Sequence, residues 1–352
     1  MAVATKKLIY YFAALSVGVF FFVSGIVDAK GFLAPIVIAV ILTLLLIPLC
    51  NRFESWGLGR TLASFLNSFL VLVVSLGFFA LITYQLNYVV EDWQKIKDTM
   101  APKVEHFTQF VIDNTAYTQA DWEEFKEDHS ITDIISAKQG GQTLLTFLKM
   151  FLGFLGSFLL TFVYIFFLLR YRHMFKIFLL KLFPEERRKE TKETIDQIAE
   201  VAQGYLMGRL ILISLLAVLY SIGLGISGVS NFIIISILAA VLTLIPYLGN
   251  LIGFTLALVF GYVTQGEFSI LVGIAITFTV VQFVESYLLT PYIVGDKVDV
   301  HPLFVIMVVI IGNMLWGIIG MVVAIPVLGI MNVIFMHVPK LKPFGYLLSK
   351  RE

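Results

Sequence analysis

Two long apolar stretches near the C-terminal end of the chain are each interrupted by residues that break helices. The first covers residues 232–263 and is interrupted at residues 246–250, and the second covers residues 302–337. A single helix over the first stretch would be about 48 Å long, well beyond the roughly 30 Å of bilayer hydrocarbon. Irregular backbone persists at membrane depth only where protein or a water-filled cavity satisfies it. The sequence therefore predicts broken or re-entrant helices.

The composition is typical of a multi-pass membrane protein. Hydrophobic residues make up 59% of the 352 residues, charged residues only 14%, and the mean hydropathy is +0.92. We predict an all-α, polytopic helical membrane protein with about eight membrane segments, some of them broken or re-entrant. The predicted segments are residues 8–27, 32–49, 62–84, 144–169, 206–226, 232–263, 268–290 and 302–337.

The charged connections between these segments predict the orientation. Lys and Arg are in excess in residues 51–61, in residues 170–205 and in the C-terminal tail, whereas acids dominate residues 89–143. The positive-inside rule places both termini in the cytoplasm and residues 89–143 outside. The apolar residues of 89–143 recur at helical spacing, which predicts a small external helical region, either a vestibule or a packing cap.

A predicted cytoplasmic amphipathic helix precedes the C-terminal half. Residues 184–205 place apolar side chains on one face and basic side chains on the other, which is typical of a helix lying on the membrane surface. The chain then divides into three spans, the external region, a fourth span, the amphipathic helix, a transport core and a cytoplasmic tail. The corresponding boundaries are 1–88, 89–143, 144–170, 171–205, 206–338 and 339–352.

The interruption of the first apolar stretch has residues suited to a reversal of the chain. Pro246 lacks an amide hydrogen, Gly249 allows the chain to turn, and Asn250 can cap freed backbone groups. Gly249 and Gly253 begin a stripe of small residues that permits close helix approach. A helical hairpin or broken helix follows from this pattern. The alternative is a proline-kinked span packed in a bundle without a ligand.

The second apolar stretch leaves two arrangements open. Gly312 and Asn313 predict a polar break, while Gly317 and Gly320 predict flexible or closely packed points. Either a hairpin or a short helix followed by a full span satisfies the length of this stretch. The basic tail favours a hairpin that returns to the cytoplasm.

Glu285 is the only acid well inside the apolar segment 268–290. Gln282 precedes it by three residues and therefore shares its helix face. An intramembrane carboxylate is costly unless it is paired or wet, and it marks a functional site by default. The carboxylate can bind a cation, carry a proton or accept hydrogen bonds from a polar solute. The alternative is a structural ion pair that locks helices, and its candidate partners are Arg209, Lys297 and His301.

Several function classes lack their sequence signatures. There is no Gly-x-Ser-x-Gly, no His-Glu-x-x-His and no phosphate-binding Gly-x-x-x-x-Gly-Lys-Ser/Thr, so neither an intramembrane enzyme nor a nucleotide-driven pump is predicted. A net charge of +1 gives no indication of a nucleic-acid partner. The single cysteine and the absence of paired histidines predict no metal site and no cofactor.

The C-terminal half also carries a recognisable set of motifs. They are Gly204-Tyr205-Leu206, Pro246-Tyr247-Leu248-Gly249 with Gly253, Gln282-Phe283-Val284-Glu285, Pro291, Gly295, His301-Pro302, Gly312, Gly317, Gly320 and Pro326. In these residues the chain resembles the autoinducer-2 exporter family of bacterial transporter-like membrane proteins, most strongly across residues 200–337. The N-terminal half matches only in layout. Two residues depart from the family pattern, since Arg209 stands where Gln is expected and Asn250 where Pro is usual.

The resemblance implies a protein of the bacterial plasma (inner) membrane that forms a homo-oligomer. It also implies transport, either export of the autoinducer-2 signal or sodium (or lithium)/proton antiport. The polar pattern and the resemblance together indicate a set of pathway residues. These are Glu285, Gln282, Pro246, Tyr247, Gly249, Asn250, Gly253, Pro291, His301, Asn313 and Arg209.

Three functional hypotheses follow. The first is a secondary-active transporter that exports a small polar solute between the two broken segments. The second is a monovalent cation/proton antiporter in which Glu285 is the exchanging carboxylate. The third is a membrane scaffold without transport activity, in which the breaks serve oligomer packing.

Overall fold

The computed structural model describes residues 2–91, 140–246, 248–265, 267–295 and 299–350, and all regular structure within them is helical. The fold class predicted from the sequence is confirmed. The predicted external region lies almost entirely outside the described residues. The described helices are α1 Ala2–Asp28, α2 Lys30–Ser55, α3 Arg60–Glu91, α4 Gly140–Arg170, α5 Arg172–Lys181, α6 Arg188–Ile226, α7 Phe232–Leu242, α8 Leu248–Gln265, α9 Phe268–Val284, α10 Thr290–Ile293, α11 Pro302–Trp316, α12 Ile318–His337 and α13 Lys342–Leu348.

Within the described residues, five helical segments are long and apolar enough to cross a membrane, or six if the bent pair α4–α5 is one span. Large apolar side chains are exposed on the outer surfaces of these segments and also on α1, where Phe20, Phe21 and Phe22 are each about two-thirds exposed. Such a surface suits lipid rather than water. The chain is therefore a multi-pass membrane protein, while the total of about eight membrane segments stays a prediction.

Helices α2, α3 and α4 form an N-terminal bundle. Its core consists of small and aliphatic side chains, among them Ala39, Cys50, Ala63 and Ile165, and small residues allow the helices to approach closely. At one end, the guanidinium of Arg172 lies 2.8 Å from the carboxylate of Glu54. This contact ties the start of α5 to the end of α2.

Helix α6 differs from the sequence prediction. The expected amphipathic helix on the membrane surface is not a separate element, because residues 188–226 form one continuous helix. Its 39 residues extend about 58 Å, so the polar N-terminal part projects beyond the hydrocarbon as an extension of the span. Gly204 and Gly208 flank the predicted boundary, but no proline lies there, so the ladder of hydrogen bonds continues through both glycines. The helix set at a steep angle is instead α5, which is bent by 68° from α4.

The first broken stretch is a helical hairpin. Helix α7 ends at Leu242, α8 begins at Leu248, and the two arms run antiparallel in close contact. A methyl group added at Gly249 would overlap the carbonyl oxygen of Leu242, and one added at Gly253 would lie 3.1 Å from Ala239. The break thus falls where Pro246 predicts it, and the small-residue stripe provides the contact between the arms.

The second broken stretch is also a hairpin, but its turn is not where the sequence indicated. Gly312 and Asn313 lie inside α11, and the chain reverses at Gly317, whose φ of 63° favours glycine. Close packing predicted for Gly320 is present, since a methyl group there would overlap the backbone of Gly312. The predicted polar break at Gly312–Asn313 is wrong because a glycine can remain helical where a neighbouring helix packs against it. Pro326 likewise lies inside α12.

The two hairpins point in opposite directions. Helix α9 runs antiparallel to α6, because Gly273 faces Ser227 at one end and Gly208 faces Ile293 at the other. The α7–α8 hairpin therefore starts at the C-terminal end of α6, close to Ser227. The α11–α12 hairpin starts at the opposite side of the helix layer, at the level of Gly208. The hairpins meet where Ile245, at the tip of the first, packs with Val309, Met321 and Ala324 of the second.

Candidate functional site

A polar cavity of about 290 Å³ lies at the tip of the α7–α8 hairpin. Four helical elements contribute to its lining, which consists of Arg209, Thr243, Ile245, Asn250, Gln282 and Glu285. The C-terminal end of α6 and the N-terminal end of α9 lie at the base of this hairpin. Arg209 is 17 residues from the first of these ends and Glu285 is 17 residues from the second, so each is about 26 Å from the base. The cavity is therefore near the side that the charged loops predict to be cytoplasmic.

Glu285 begins a π-helical turn, residues Glu285–Leu289, that interrupts an otherwise α-helical segment. Its carbonyl oxygen accepts from the amide of Thr290, five residues on, and Pro291 then follows without an amide hydrogen of its own. A π-turn rotates the residues after it relative to those before it, and such turns are frequent at functional sites. Here it accompanies a carboxylate that is buried in the protein rather than exposed to lipid.

Arg209 is the cationic group of the cavity. Its guanidinium lies 4.0 Å from the Glu285 carboxylate and also donates a hydrogen bond to the carbonyl oxygen of Thr243. Thr243 is the C-cap residue of α7, so this carbonyl lies at the helix end where the helix dipole favours positive charge. The preceding Gly208 makes this arrangement possible, because a methyl group there would lie only 2.8 Å from the carbonyl oxygen of Ile293. Close approach of α6 and α10 brings the two charges together.

A chain of hydrogen bonds crosses the cavity wall. Tyr220 donates to the side-chain oxygen of Asn250 over 3.0 Å, and the Asn250 amide donates to the side-chain oxygen of Gln282. Gln282 in turn donates to the hydroxyl of Ser286 over 3.0 Å. The Tyr220 ring stacks on Phe278 with centroids 4.6 Å apart, which anchors the chain in the core. Each amide in the wall is thereby held by a partner on another helix or turn.

The structure brings together four of the polar residues that the sequence indicated, namely Arg209, Asn250, Gln282 and Glu285. The ion-pair partner of Glu285 is Arg209, one of the three predicted candidates. Lys297 and Tyr247 lie outside the described residues.

Other predicted pathway residues have structural positions. Pro246 lies in the hairpin turn, Gly249 and Gly253 lie between the hairpin arms, and Pro291 follows the π-turn. His301 does not reach the cavity. It is exposed, and its ring nitrogen accepts from the amide of Leu303, 3.2 Å away, as the N-terminal cap of α11. Asn313 is exposed on α11. Neither residue lines the cavity in the described structure, and their assignment to the transport pathway stays a prediction.

Sequence reasoning missed three contributors to the site. Tyr220 is completely buried, and its signal was a phenol within an apolar segment, which requires a hydrogen-bond partner. Thr243 contributes a backbone carbonyl, for which its side chain gave no signal. Gly208 was one glycine among many, and only the position of α10 shows what it permits.

The cavity offers hydrogen-bond donors and acceptors of both kinds within a small volume. The guanidinium supplies donors, the carboxylate and the Thr243 carbonyl supply acceptors, and the amides supply both. Among the described residues, no group of three or more His, Cys, Asp or Glu side chains is placed to hold a metal ion. The arrangement is therefore suited chemically to a small polar molecule or to a monovalent ion.

Comparison with known proteins gives a family for the whole arrangement. The sequence model described as "AI-2E family transporter" matches residues 10–340, which include every described helix from α2 to α12 in full. The match covers both the N-terminal bundle and the two hairpins.

Individual relatives are more distant. The chain is 26% identical over 212 residues to the candidate transport protein YueF of Bacillus subtilis, covering 60% of this chain and 54% of YueF. It is 30% identical over 156 residues to the candidate transport protein YrrI of the same organism, covering 44% of each. A candidate transport protein of Mycobacterium tuberculosis is 24% identical over 308 residues, covering 85% of this chain and 80% of the relative. The chain thus spans about half the length of the two Bacillus relatives.

These matches support a role in membrane transport without specifying a substrate. The chain belongs to the AI-2E transporter family.

Proposed function

We propose that this protein is a secondary-active transporter that exports a small polar solute through the cavity at the tip of the α7–α8 hairpin. The observation that carries the proposal is the Arg209–Glu285 pair, placed 4.0 Å apart in a cavity of about 290 Å³ beside the broken helix. Broken helices whose ends face a polar site are the usual construction of substrate sites in secondary transporters.

The cavity volume limits the solute. Ligand pockets are commonly about 300–1,000 Å³, so a cavity of about 290 Å³ suits a molecule of few heavy atoms. The lining groups supply a charged donor, a charged acceptor and two amides, which together match a solute rich in hydroxyl and carbonyl groups. Autoinducer-2, the solute implied by the family resemblance, is of this chemical class.

The Arg209–Glu285 pair supports a binding role because its two charged groups are not in direct hydrogen-bond contact. At 4.0 Å the two groups attract each other without a short hydrogen bond, which leaves both able to accept a solute atom between them. A solute hydroxyl that donates to Glu285 and accepts from Arg209 would replace one interaction with two. Binding then costs little desolvation beyond that already incurred by burying the pair.

The contact between the hairpins supports access from one side at a time. Ile245 forms part of the cavity lining and also packs with Val309 and Met321 of the second hairpin. Apolar contact at this point closes the cavity toward that hairpin, and movement of one hairpin against the other would open it. Because the sequence has no phosphate-binding loop, an ion gradient supplies the energy in this proposal.

The carboxylate also favours a second candidate, monovalent cation/proton antiport. In this alternative Glu285 exchanges a proton for a cation, and the Thr243 carbonyl and the side-chain oxygens of the cavity are further ligands. The Arg209 guanidinium occupies the same space and competes with a cation there, so we favour the solute.

Efflux from proteoliposomes tests the proposal. Vesicles loaded with labelled autoinducer-2 are compared for native protein, Glu285→Gln and a control, Glu267→Gln, which changes an exposed acid at the other end of the same segment. Vesicles with native protein or the control variant are expected to release label faster than loaded vesicles without protein. Loss of a charged hydrogen-bond acceptor costs about 1.5–3 kcal/mol, so Glu285→Gln should slow release by about tenfold or more.

The same vesicles separate the alternatives. A sodium-driven change in internal pH, lost in Glu285→Gln and without release of label, would indicate antiport. Absence of both fluxes in correctly inserted native protein would favour the scaffold. Equal release by native protein and Glu285→Gln would contradict the assigned role of the carboxylate.

A further inference from the structure

A second, larger cavity of about 740 Å³ lies apart from the polar cavity, where the ends of α2 and α4 meet α5 and the N-terminal part of α6. The charged loops predict this end to be cytoplasmic. The lining combines two kinds of surface, a cluster of basic side chains and an apolar wall. The basic residues are Arg60, Arg170, Arg172, His173 and Lys176.

The basic cluster carries more positive charge than its acidic neighbours neutralise. Arg172 pairs with Glu54, and Lys176 pairs with Asp196, the only acid among the described residues of the lining. Within the part of the chain that the structure describes, Arg60 and Arg170 form no ion pair with a carboxylate. Arg170 is oriented by a 2.9 Å hydrogen bond to the hydroxyl of Thr61. Two guanidinium groups are therefore left to receive an anion.

The apolar wall continues from this charged rim into the membrane-spanning part of the molecule. Val40, Leu44 and Ile47 of α2 lie along two turns, which extend about 10 Å along the helix axis. Ile330 of α12 and Ile198 of α6 face them across the cavity. A soluble anion would use only the rim, whereas a molecule with a charged head and apolar chains would use both surfaces.

Helix α5 indicates the depth of the cavity in the bilayer. It turns by 68° from α4, and it exposes Met174, Ile177 and Phe178 while carrying basic residues in the same ten-residue segment. Short amphipathic helices of this kind lie at the boundary between headgroups and acyl chains. The opening beside α5 is thus at the level of lipid phosphates.

We propose that this cavity binds an anionic glycerophospholipid, with its phosphate between Arg60 and Arg170 and the start of its acyl chains along α2. Basic pockets between transmembrane helices on the cytoplasmic side are suited to such headgroups. The lipid would bridge α5 and α6, which the structure joins here through the Lys176–Asp196 contact of 2.5 Å. This site is separate from the polar cavity at the tip of the α7–α8 hairpin and shares none of its polar residues.

Native mass spectrometry of the full chain, released from micelles of equal phosphatidylglycerol and phosphatidylcholine, tests the proposal. Native protein is expected to retain phosphatidylglycerol in preference to phosphatidylcholine. The double variant Arg60→Gln, Arg170→Gln is expected to lose at least about tenfold in this retention. The control, Arg187→Gln with Lys189→Gln, removes the same charge from exposed positions of the same region and should behave as native protein.

A charge-conserving variant and the measured mass keep the outcome interpretable. Arg60→Lys with Arg170→Lys should restore most of the retention, which a loss of folding in the Gln variant would not explain. Equal retention of the two lipids, or full retention by the Gln variant, would overturn the proposal. So would displacement of bound lipid by glycerol phosphate alone, or a Gln variant in which only the oligomer mass changes, since the latter indicates contact with a second copy.

Discussion

The Arg209–Glu285 pair should couple energetically far more strongly than a surface pair of better geometry. The two groups are 4.0 Å apart, and their side chains are only 18% and 11% exposed. At an effective dielectric constant of about 20, charges at this distance attract each other by about 4 kcal/mol. Desolvation opposes part of this attraction, so we expect a coupling energy of about 1–3 kcal/mol.

A double-mutant cycle measures this coupling. The free energy of unfolding is determined in mixed detergent micelles for native protein, Arg209→Gln, Glu285→Gln and the double variant. Each single change leaves an uncompensated charge in a shielded site, whereas the double change removes both charges. The double variant should therefore be more stable than the sum of the single effects predicts.

The Glu185–Arg188 pair provides the control. Its atoms are closer, 2.7 Å apart, but its side chains are 81% and 43% exposed. Solvent screening should hold its coupling to about 0.5 kcal/mol or less. If the two cycles gave equal couplings, or if the Arg209–Glu285 cycle gave less than its control, shielding by the protein would not govern the pair and the reasoning would fail.

Three further predictions concern the packing around the cavity. Gly249→Ala places a methyl group against backbone and should lower the unfolding free energy by about 3 kcal/mol, clearly more than Gly253→Ala does. Equal effects of the two changes would contradict the hairpin geometry. Tyr220→Phe keeps the ring stack but removes the hydrogen bond to Asn250, which should cost about 1 kcal/mol in the same unfolding assay. Gly208→Leu separates α6 from α10 and should reduce the coupling of the cavity ion pair below about 0.5 kcal/mol, whereas an unchanged coupling would show that the close approach is unnecessary.

The helical hairpins show how far local sequence reaches. Pro246 removes a backbone donor and so favours a break at this point, but Pro326 lacks the same donor and stays inside α12, so proline alone does not decide where a helix ends. The break at Gly317 was not distinguishable from one at Gly312, because both glycines permit a turn and only packing decides which one bends. Gly312 stays helical because Gly320 packs against it. Gly317 has no atom of the described residues packed at the position of a side chain, and the chain reverses there.

The polar cavity shows which features of a site the local sequence cannot predict. The apolar context of Glu285 and Gln282 was enough to single them out, because a charge in a membrane segment needs a partner wherever it lies. The identity of the partner was open among three residues, since sequence separation says little about distance between helices. The depth of the hairpin tip and the close approach at Gly208 select Arg209. The same geometry directs His301 and Asn313 away from the cavity.

By itself the sequence determined that the chain is helical, multi-pass and interrupted in its C-terminal half, because hydrophobic length and proline chemistry are local properties. Tertiary structure alone decided that the two hairpins point in opposite directions, and that Thr243 and Tyr220 join the polar site. It also decided that α6 continues through the predicted surface helix. Those outcomes depend on which helices touch, and contacts between helices are set by packing of whole surfaces rather than by any single residue.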